Sequence, residues 1–257
     1  MLLAIDIGNT NTTLGIFQEQ SLIFNFRLTT RIGQTMDEYG IFVRNLLSLA
    51  GIQRDTLSGM VVASVVPPLD DVIETMAKKY LHIEPMFIRP GIKTGLALNV
   101  ESPSEVGADR IVDCVGALSR YAPPLIVVDF GTATTFDAVS ENREFIGGAI
   151  APGLKISAES LFQKAAKLPE VPFQKPEMAI GRNTVTNIQS GLFFGYVGLV
   201  NGVLSRMKAE VGENSQVIAT GGLASVIFPE STLIDTIDED LTLEGLRVLF
   251  EKNHERY

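Results

Sequence analysis

The sequence predicts an α/β protein made of two similar halves, and three observations carry that prediction. Short apolar runs that end in an acidic residue, LLAI before Asp6 and LIVV before Asp129, read as buried strands. Each run leads through a Gly- and Thr-bearing turn into a strand–turn–strand meander. The two meanders align with a constant offset: Asp6, Gly8 and Thr12 recur as Asp129, Gly131 and Thr135 (129 − 6 = 123). A repeat of this length signifies duplicated domains rather than a solenoid.

Along the chain, LGIF and LIFNFRL flank the turn QEQS as the second and third strands. A helix starts near Asp37, with Phe42, Leu46 and Leu49 at helical spacing and Gly51 placed to stop it. GMVVASVV (59–66) is a buried strand ended by Pro67 and Pro68, 70–81 is helical, and PMFI (85–88) is a strand. Ser102-Pro103-Ser104-Glu105 has the form of a capping box with proline at the first helical position. The helix it opens carries Val106, Ile111, Val115 and Leu118 inward and runs to about Tyr121. LIVVDF (125–130), FDAVS and FIGGAIA (145–151) make the second meander. A helix follows from Pro152-Gly153 through Lys167, then a Pro- and Gly-rich loop over 168–183, then a long helix from Thr184 to about Val211. QVIAT (216–220) is a strand that runs into Gly221-Gly222, and a last helix holds Leu243, Leu246 and Phe250. The halves are expected at 1–121 and 122–257, with the last helix free to pack back on the first half.

Within the long helix, Gly191, Gly195, Gly198 and Gly202 share one face. Each glycine costs about 1 kcal/mol relative to alanine, so four on one face point to close approach by another backbone, in the same subunit or in a second one.

Composition narrows the function. Of 257 residues 46% are hydrophobic, and 21 Lys+Arg against 30 Asp+Glu leave a net charge of −9, which argues against a nucleic-acid binder. Cys114 is the single cysteine, so no intrachain disulfide forms, and two histidines without CxxC or HExxH spacing build no His-rich metal site. The opening MLLAIDIGNT meets Asp6 too early to supply the apolar region of a signal peptide. No uninterrupted apolar run approaches the roughly 20 residues that cross a bilayer. The expectation is a cytoplasmic protein with no nucleic-acid or membrane partner.

The candidate chemistry sits in the turns. A strand-end D-x-G-N-T turn brings consecutive backbone N–H groups to one point, where they form an anion-binding concavity. In DIGNTNTT, Thr10, Thr12 and Thr13 add hydroxyls, and Asp6 is placed to hold Mg²⁺ through water. Either turn alone reads first as a tight hairpin; two at equivalent places point to a polyphosphate held from both sides. ATGG (219–222) suits a nucleotide contact at a strand end, although alone it is only a turn signal. In Gly107-Ala108-Asp109-Arg110, Asp109 has the chemistry of a general base for phosphoryl transfer, and Arg110 that of an anion clamp. By spacing alone the pair reads more simply as an ordinary charged first turn. Cys114 is expected to be inert packing, and spacing gives Asp113, Asp137 and Lys155 no role.

These residues resemble the sugar kinase/Hsp70/actin superfamily, and more narrowly the type III pantothenate kinases. The matching segments are DIGNTNTTLGIF (6–17), SVVP (64–67), EVGADRIVD (105–113), VVDFGTATTFDAV (127–139) and GGAIAPGL (147–154). AAKLP (165–169), GRNTV (181–185), QSG (189–191) and ATGG (219–222) fit as well, in the family's order along nearly the whole chain. The resemblance implies two ribonuclease-H-like halves, an actin-like ATPase fold, with ATP in the cleft between them. It implies transfer of the γ-phosphoryl of ATP to the primary hydroxyl of pantothenate, the first step of coenzyme A synthesis.

Carried over by motif, Asp6, Ile7, Gly8, Asn9, Thr10, Asn11, Thr12, Thr13 and Thr132, with Gly221 and Gly222, contact ATP and its Mg²⁺. Asp109 is the catalytic base, and Gly107, Ala108, Asp109 and Arg110 line the pantothenate site. Asp129 binds a monovalent cation, potassium or ammonium, and Thr184 completes the pantothenate pocket from the partner subunit of a homodimer. Some members carry an aromatic residue seven positions before the glycine of GADR; here that position is Val100, an apolar wall. Two other readings are a superfamily kinase acting on another hydroxy acid or polyol and a nucleotide-dependent regulator or filament subunit. Asp109 and Asp129 together disfavour the second of these, because a binding module needs no general base.

Overall fold

The computed structural model describes residues 1–165 and 167–254. The chain divides into two compact units: unit 1 holds Met1–Ala97, Glu101–Arg120 and the chain from Asp240, and unit 2 holds Leu98–Val100 and Tyr121–Glu239.

Unit 1 opens with β1 (Leu2–Ile7), β2 (Asn11–Gln18) and β3 (Ser21–Thr29), an antiparallel meander. Then come α1 (Met36–Leu49), β4 (Gly59–Ser64), α2 (Pro67–Met76) and β5 (Met86–Phe87). The sheet order is β3-β2-β1-β4-β5, with β4 parallel to β1. This central place buries both faces of β1 and explains its continuous apolar run. α1 is capped by Thr35, whose hydroxyl accepts from Glu38 N while the Glu38 carboxylate accepts from Thr35 N at 2.7 Å.

Its buried stripe is Tyr39, Val43 and Leu47, whereas Phe42 and Leu49 stay 44% and 81% exposed. The helix carries two apolar stripes, and the sheet selects the one the Phe42–Leu49 spacing does not mark. α2 starts earlier than the predicted residue 70, because Pro67 and Pro68 fall in the first turn, where a missing N–H costs nothing. A single π turn, Ala77–Leu81, ends it.

The expected capping box at 102–105 does not open a helix. Pro103–Glu105 form an isolated 3₁₀ turn, the Ser102 side chain makes no capping bond, and Val106 is extended. The extended Val106 breaks the run, so α3 (Ala108–Arg120) begins afresh after Gly107, with Asp109 in its first turn.

Unit 2 takes Leu98 of β6 (Ala97–Leu98) and contains β7 (Leu125–Phe130), β8 (Ala133–Val139), β9 (Glu144–Pro152), α4 (Leu154–Lys164) and α5 (Thr184–Val211). It continues with β10 (Gln216–Thr220), α6 (Ala224–Ile227) and β11 (Thr236–Ile237). The strand order is β11-β10-β7-β8-β9-β6. Without the short β6 this repeats the order in unit 1, so the fold is the expected α/β duplication of ribonuclease-H-like halves.

The repeat slips by one residue at the first turn. Ile7 pairs with Thr12, but Phe130 pairs with Thr134, so Thr134 and not Thr135 stands where Thr12 does. The slip is taken up at the next hairpin, where Phe17 pairs with Leu22 and Val139 with Phe145. Both meanders bulge at the same step, Ile16/Phe17 and Ala138/Val139.

α4 ends at Lys164, short of the predicted Lys167, and Ala166 in the AAKLP segment lies outside the described residues. α5 is long and apolar enough to cross a membrane by length and composition, which the search for uninterrupted apolar runs missed. Phe193, Tyr196, Val197, Val200 and Leu204 nevertheless pack into the unit 2 core with Val128, Phe130 and Phe136.

The last helix, α7 (Leu241–His254), belongs to unit 1 and crosses α3 with its backbone against it. A Cβ on Gly245 would collide with Val112 O, and one on Gly116 with Leu241 O. Thr242 Oγ1 donates to Asp113 Oδ1 at 2.6 Å, and the Arg247 guanidinium holds Glu244 at 2.7 Å and Glu251 at 2.6 Å. Burial opposes the charge of Glu244, but Arg247, Arg120 and Ser119 outweigh it and hold the carboxyl below its ordinary pKa.

Candidate active site

In unit 1, β1 delivers Asp6 to the carboxyl end of the sheet, half-buried and opposite Thr13 of β2 and Ala63 of β4. The turn after it is closed by Gly8 N donating to Asn11 O at 3.0 Å. Asn9 and Asn11 are exposed, Gly8 and Thr10 half-buried. Thr30, just past β3, holds this turn: its N donates to Thr10 O at 2.9 Å and its hydroxyl to Gly8 O at 2.7 Å. Thr12, 1% exposed, has its hydroxyl 2.9 Å from that of Thr30. Its side chain therefore faces inward, away from the exposed rim formed by Asn9 and Asn11.

Asp109 lies half-buried in the first turn of α3, and its Oδ1 accepts from Arg110 N at 2.8 Å. A Cβ on Gly107 would stand 2.5 Å from the same oxygen, so glycine leaves room for the carboxylate beside the helix start. Asp113, one turn on, is buried and bonded to Thr242, which gives it a structural place in the α3–α7 crossing.

In unit 2, Asp129 stands opposite Thr135 of β8 and Thr220 of β10. Gly221 follows Thr220 with φ +89°, and a Cβ there would collide with Asp129 Oδ1; one on Gly131 would lie 3.0 Å from Oδ2. The carboxylate thus occupies space that two glycines leave open. Thr132 follows Gly131, and Gly153 backs onto its carbonyl so closely that any side chain would collide. Thr134 is buried and shares a short hydrogen bond with the Tyr196 hydroxyl. Burial raises the Tyr196 pKa, the Thr134 bond opposes that, and the negative charge of Asp129 adds to the rise. Gly221 and Gly222 lead into the turn before α6, with Gly221 O accepting from Ala224 N at 3.2 Å.

Val100 lies in unit 2 beside β9, its Cγ1 near Gly147, next to Asn99 whose N–H donates to Phe145 O at 2.8 Å. Thr184 is exposed at the start of α5, after the N-cap Asn183. It lines an open groove of about 680 Å³ between α4 and α5, with Ser157, Leu161, Asn187, Ile188 and Gly191. Along that helix, a Cβ on Gly191, Gly195 or Gly198 would meet nothing within 4 Å. No other backbone in the described chain packs against that stretch of the glycine face.

Among the described residues, no three His, Cys, Asp or Glu side chains converge to hold a metal ion. Sequence reading missed Thr30 and Tyr196, which act across long separations and carry no local signal.

A family model described as type III pantothenate kinase matches residues 2–206. A type III pantothenate kinase of Myxococcus xanthus is 53% identical over 254 residues, covering 99% of each chain. One from Halalkalibacterium halodurans is 51% identical over 253 residues, covering 98% of this chain and 100% of the relative. Among solved structures, one described as a conserved Baf family transcriptional activator from Campylobacter jejuni superposes with a TM-score of 0.64 at 19% identity, covering 98% of each chain. A structure described as a 2-dehydro-3-deoxygalactonokinase from Sinorhizobium meliloti gives 0.58 at 12% identity, covering 100% of this chain and 98% of the other. At those identities the structural likeness speaks to the fold alone, whereas the full-length sequence kinship speaks to the family. The chain belongs to the type III pantothenate kinases.

Proposed function

We propose that this chain transfers the γ-phosphoryl group of ATP to the primary hydroxyl of pantothenate, with Asp109 as general base. The observation that carries the reading is full-length kinship to type III pantothenate kinases with GADR and both Asp-Gly turns in place. Asp109 takes the hydroxyl proton as the new O–P bond forms, while the bond from the γ-phosphorus to the bridging oxygen breaks and ADP leaves. Arg110 fixes the pantothenate carboxylate as a charge-assisted partner. Val100 gives that substrate an apolar wall.

ATP is contacted by the exposed rim of the 6–13 segment in unit 1, with Thr12 supporting it from within, and by Thr132, Gly221 and Gly222 in unit 2. The amides of Asn9 and Asn11 supply fixed donors for phosphate oxygens, which favours them in a site where charge moves. Mg²⁺ would arrive with ATP, and Asp6 is the residue that would hold it, through water. Asp129, whose carboxylate has room because Gly131 and Gly221 lack side chains, would hold a potassium or ammonium ion, which would offset polyphosphate charge when bound. Among the described residues no group of three His, Cys, Asp or Glu side chains suited to a tightly held divalent ion stands there.

The protein works as a cytoplasmic homodimer in this reading. The open stretch of the α5 glycine face is the seam, and Thr184 of the partner subunit completes the pantothenate pocket. Gly195→Leu should then dissociate the dimer by light scattering; a variant that stays dimeric places the seam elsewhere.

The test of the reaction is ADP release by the purified protein with and without pantothenate, with the product weighed by mass spectrometry. Pantothenate-dependent ADP release with a phosphorylated product supports the reading. ATP binding without pantothenate-dependent turnover would move the weight to another hydroxylated acceptor.

A further inference from the structure

The turn expected to bind phosphate is held from one side by a residue that no motif marks. Thr30 makes three contacts with it: N–H to Thr10 O, hydroxyl to Gly8 O, and hydroxyl to the Thr12 hydroxyl. A threonine hydroxyl has one proton, and Thr30 commits it to Gly8 O, so Thr12 must be the donor in the Thr12–Thr30 pair. The chain of bonds thus runs in one sense, from Thr12 through Thr30 to the backbone of the turn.

The consequence follows from the planarity of the peptide. In a trans amide the carbonyl and the N–H of the next residue point in opposite directions. Drawing Gly8 O and Thr10 O toward Thr30 therefore turns the N–H groups of Asn9 and Asn11 away from it. Those two residues are the exposed ones, on the open side of the turn. An anion-binding turn is effective when its donors are oriented before the ligand arrives, since reorganisation otherwise offsets the binding.

The second meander supplies an internal contrast. The residue 123 positions after Thr30 is Gly153, which packs bare against the Thr132 and Gly131 carbonyls, with no room for a side chain. The shorter turn of unit 2 is backed by main chain. The longer turn of unit 1 leaves a gap that the Thr30 side chain fills.

We propose that Thr30 is a positioning residue for ATP: it sets the Asn9 and Asn11 amides through Gly8 O and Thr10 O without touching the nucleotide. The inference rests on the reading that residues 6–13 contact ATP. The test is steady-state kinetics on Thr30→Val and Thr30→Ser, with ATP and pantothenate varied separately. Valine keeps the shape and the backbone N–H but loses the hydroxyl, leaving Gly8 O and the Thr12 proton unmatched. The expected result is a KM for ATP raised roughly tenfold, a KM for pantothenate unchanged, and recovery toward wild type in Thr30→Ser. Thr30→Ala serves if valine does not fold.

A KM for ATP unaffected by the loss of the hydroxyl, or a serine variant as impaired as the valine one, would overturn the proposal. Asn9→Asp separates that failure from failure of the underlying reading, because it sets a negative charge on the rim of the turn. If Asn9→Asp raises the KM for ATP and Thr30→Val does not, only the positioning role is lost. If neither moves it, the turn is not the nucleotide site and both fall.

Discussion

The turn that follows Asp6 spans Gly8, Asn9 and Thr10, whereas the turn that follows Asp129 spans only Gly131 and Thr132. Both close the same hairpin of the same meander, and a buried threonine, Thr12 or Thr134, stands at the start of each returning strand. One residue of length changes how each is supported. The longer turn is fastened by the Thr30 side chain and presents Asn9 and Asn11 to solvent. The shorter one lies on the backbone of Gly153 and leaves its threonine to Tyr196 of α5. The strand beside each aspartate differs as well. In unit 1, Ala63 is followed by Ser64, whose hydroxyl accepts from Val66 N; in unit 2, Thr220 is followed by Gly221, which opens room for the Asp129 carboxylate. A duplicated element has thus become an amide-rich rim in one unit and a cradled carboxylate in the other.

Three substitutions sharpen the comparison by separating the turns from the general base and from the α3–α7 crossing, the largest effect first. Asp109→Asn should lower kcat by roughly 10²-fold or more, the scale of a lost general base, while ATP and pantothenate still bind. Near-wild-type turnover would remove Asp109 from the chemistry and return the burden to the turns. Gly153→Thr copies the unit 1 residue into unit 2. Because its side chain has no space against Thr132 O, it should cost about 2 kcal/mol in urea unfolding. A fully stable variant would mean that the two turns are supported alike after all.

Glu244→Gln tests the α3–α7 crossing, at about 1 kcal/mol. The folded pKa of Glu244 is depressed, so its contribution is complete above its ordinary value of 4.5 and fades as pH falls through the folded value. The difference between wild type and variant in urea unfolding should be present at neutral pH and shrink in acid. A constant difference would assign the effect to packing instead of charge.

Much of this was legible in the chain because the signals are local. The strand-end aspartates, the meanders and the offset between halves are short patterns set by burial and turn chemistry, and the matching segments carry the proposed site residues. What stayed hidden depends on contacts far apart in sequence. Thr30 reads as an ordinary polar residue after a strand until β3 brings it beside Gly8, and Tyr196 reads as one aromatic among many on α5. The one-residue slip could not be read either, since Thr134 and Thr135 are identical in type and only register separates them. On α1, the two apolar stripes are equally periodic, and only the sheet decides between them. The S-P-S-E signature failed because Ser102 makes no capping bond and Val106 is extended, so the turn stops at a single 3₁₀ step.

The central claim is that both turns contact the nucleotide but only the Asp129 turn adds a monovalent-cation site. The most direct measurement is pantothenate-dependent ADP release in wild type, Asp129→Ala and Asn9→Asp, titrated with KCl in a sodium buffer. The account predicts activation by potassium in wild type and in Asn9→Asp, with a raised KM for ATP in the latter, and no potassium response in Asp129→Ala. A full potassium response in Asp129→Ala, or its loss in Asn9→Asp alone, would contradict it.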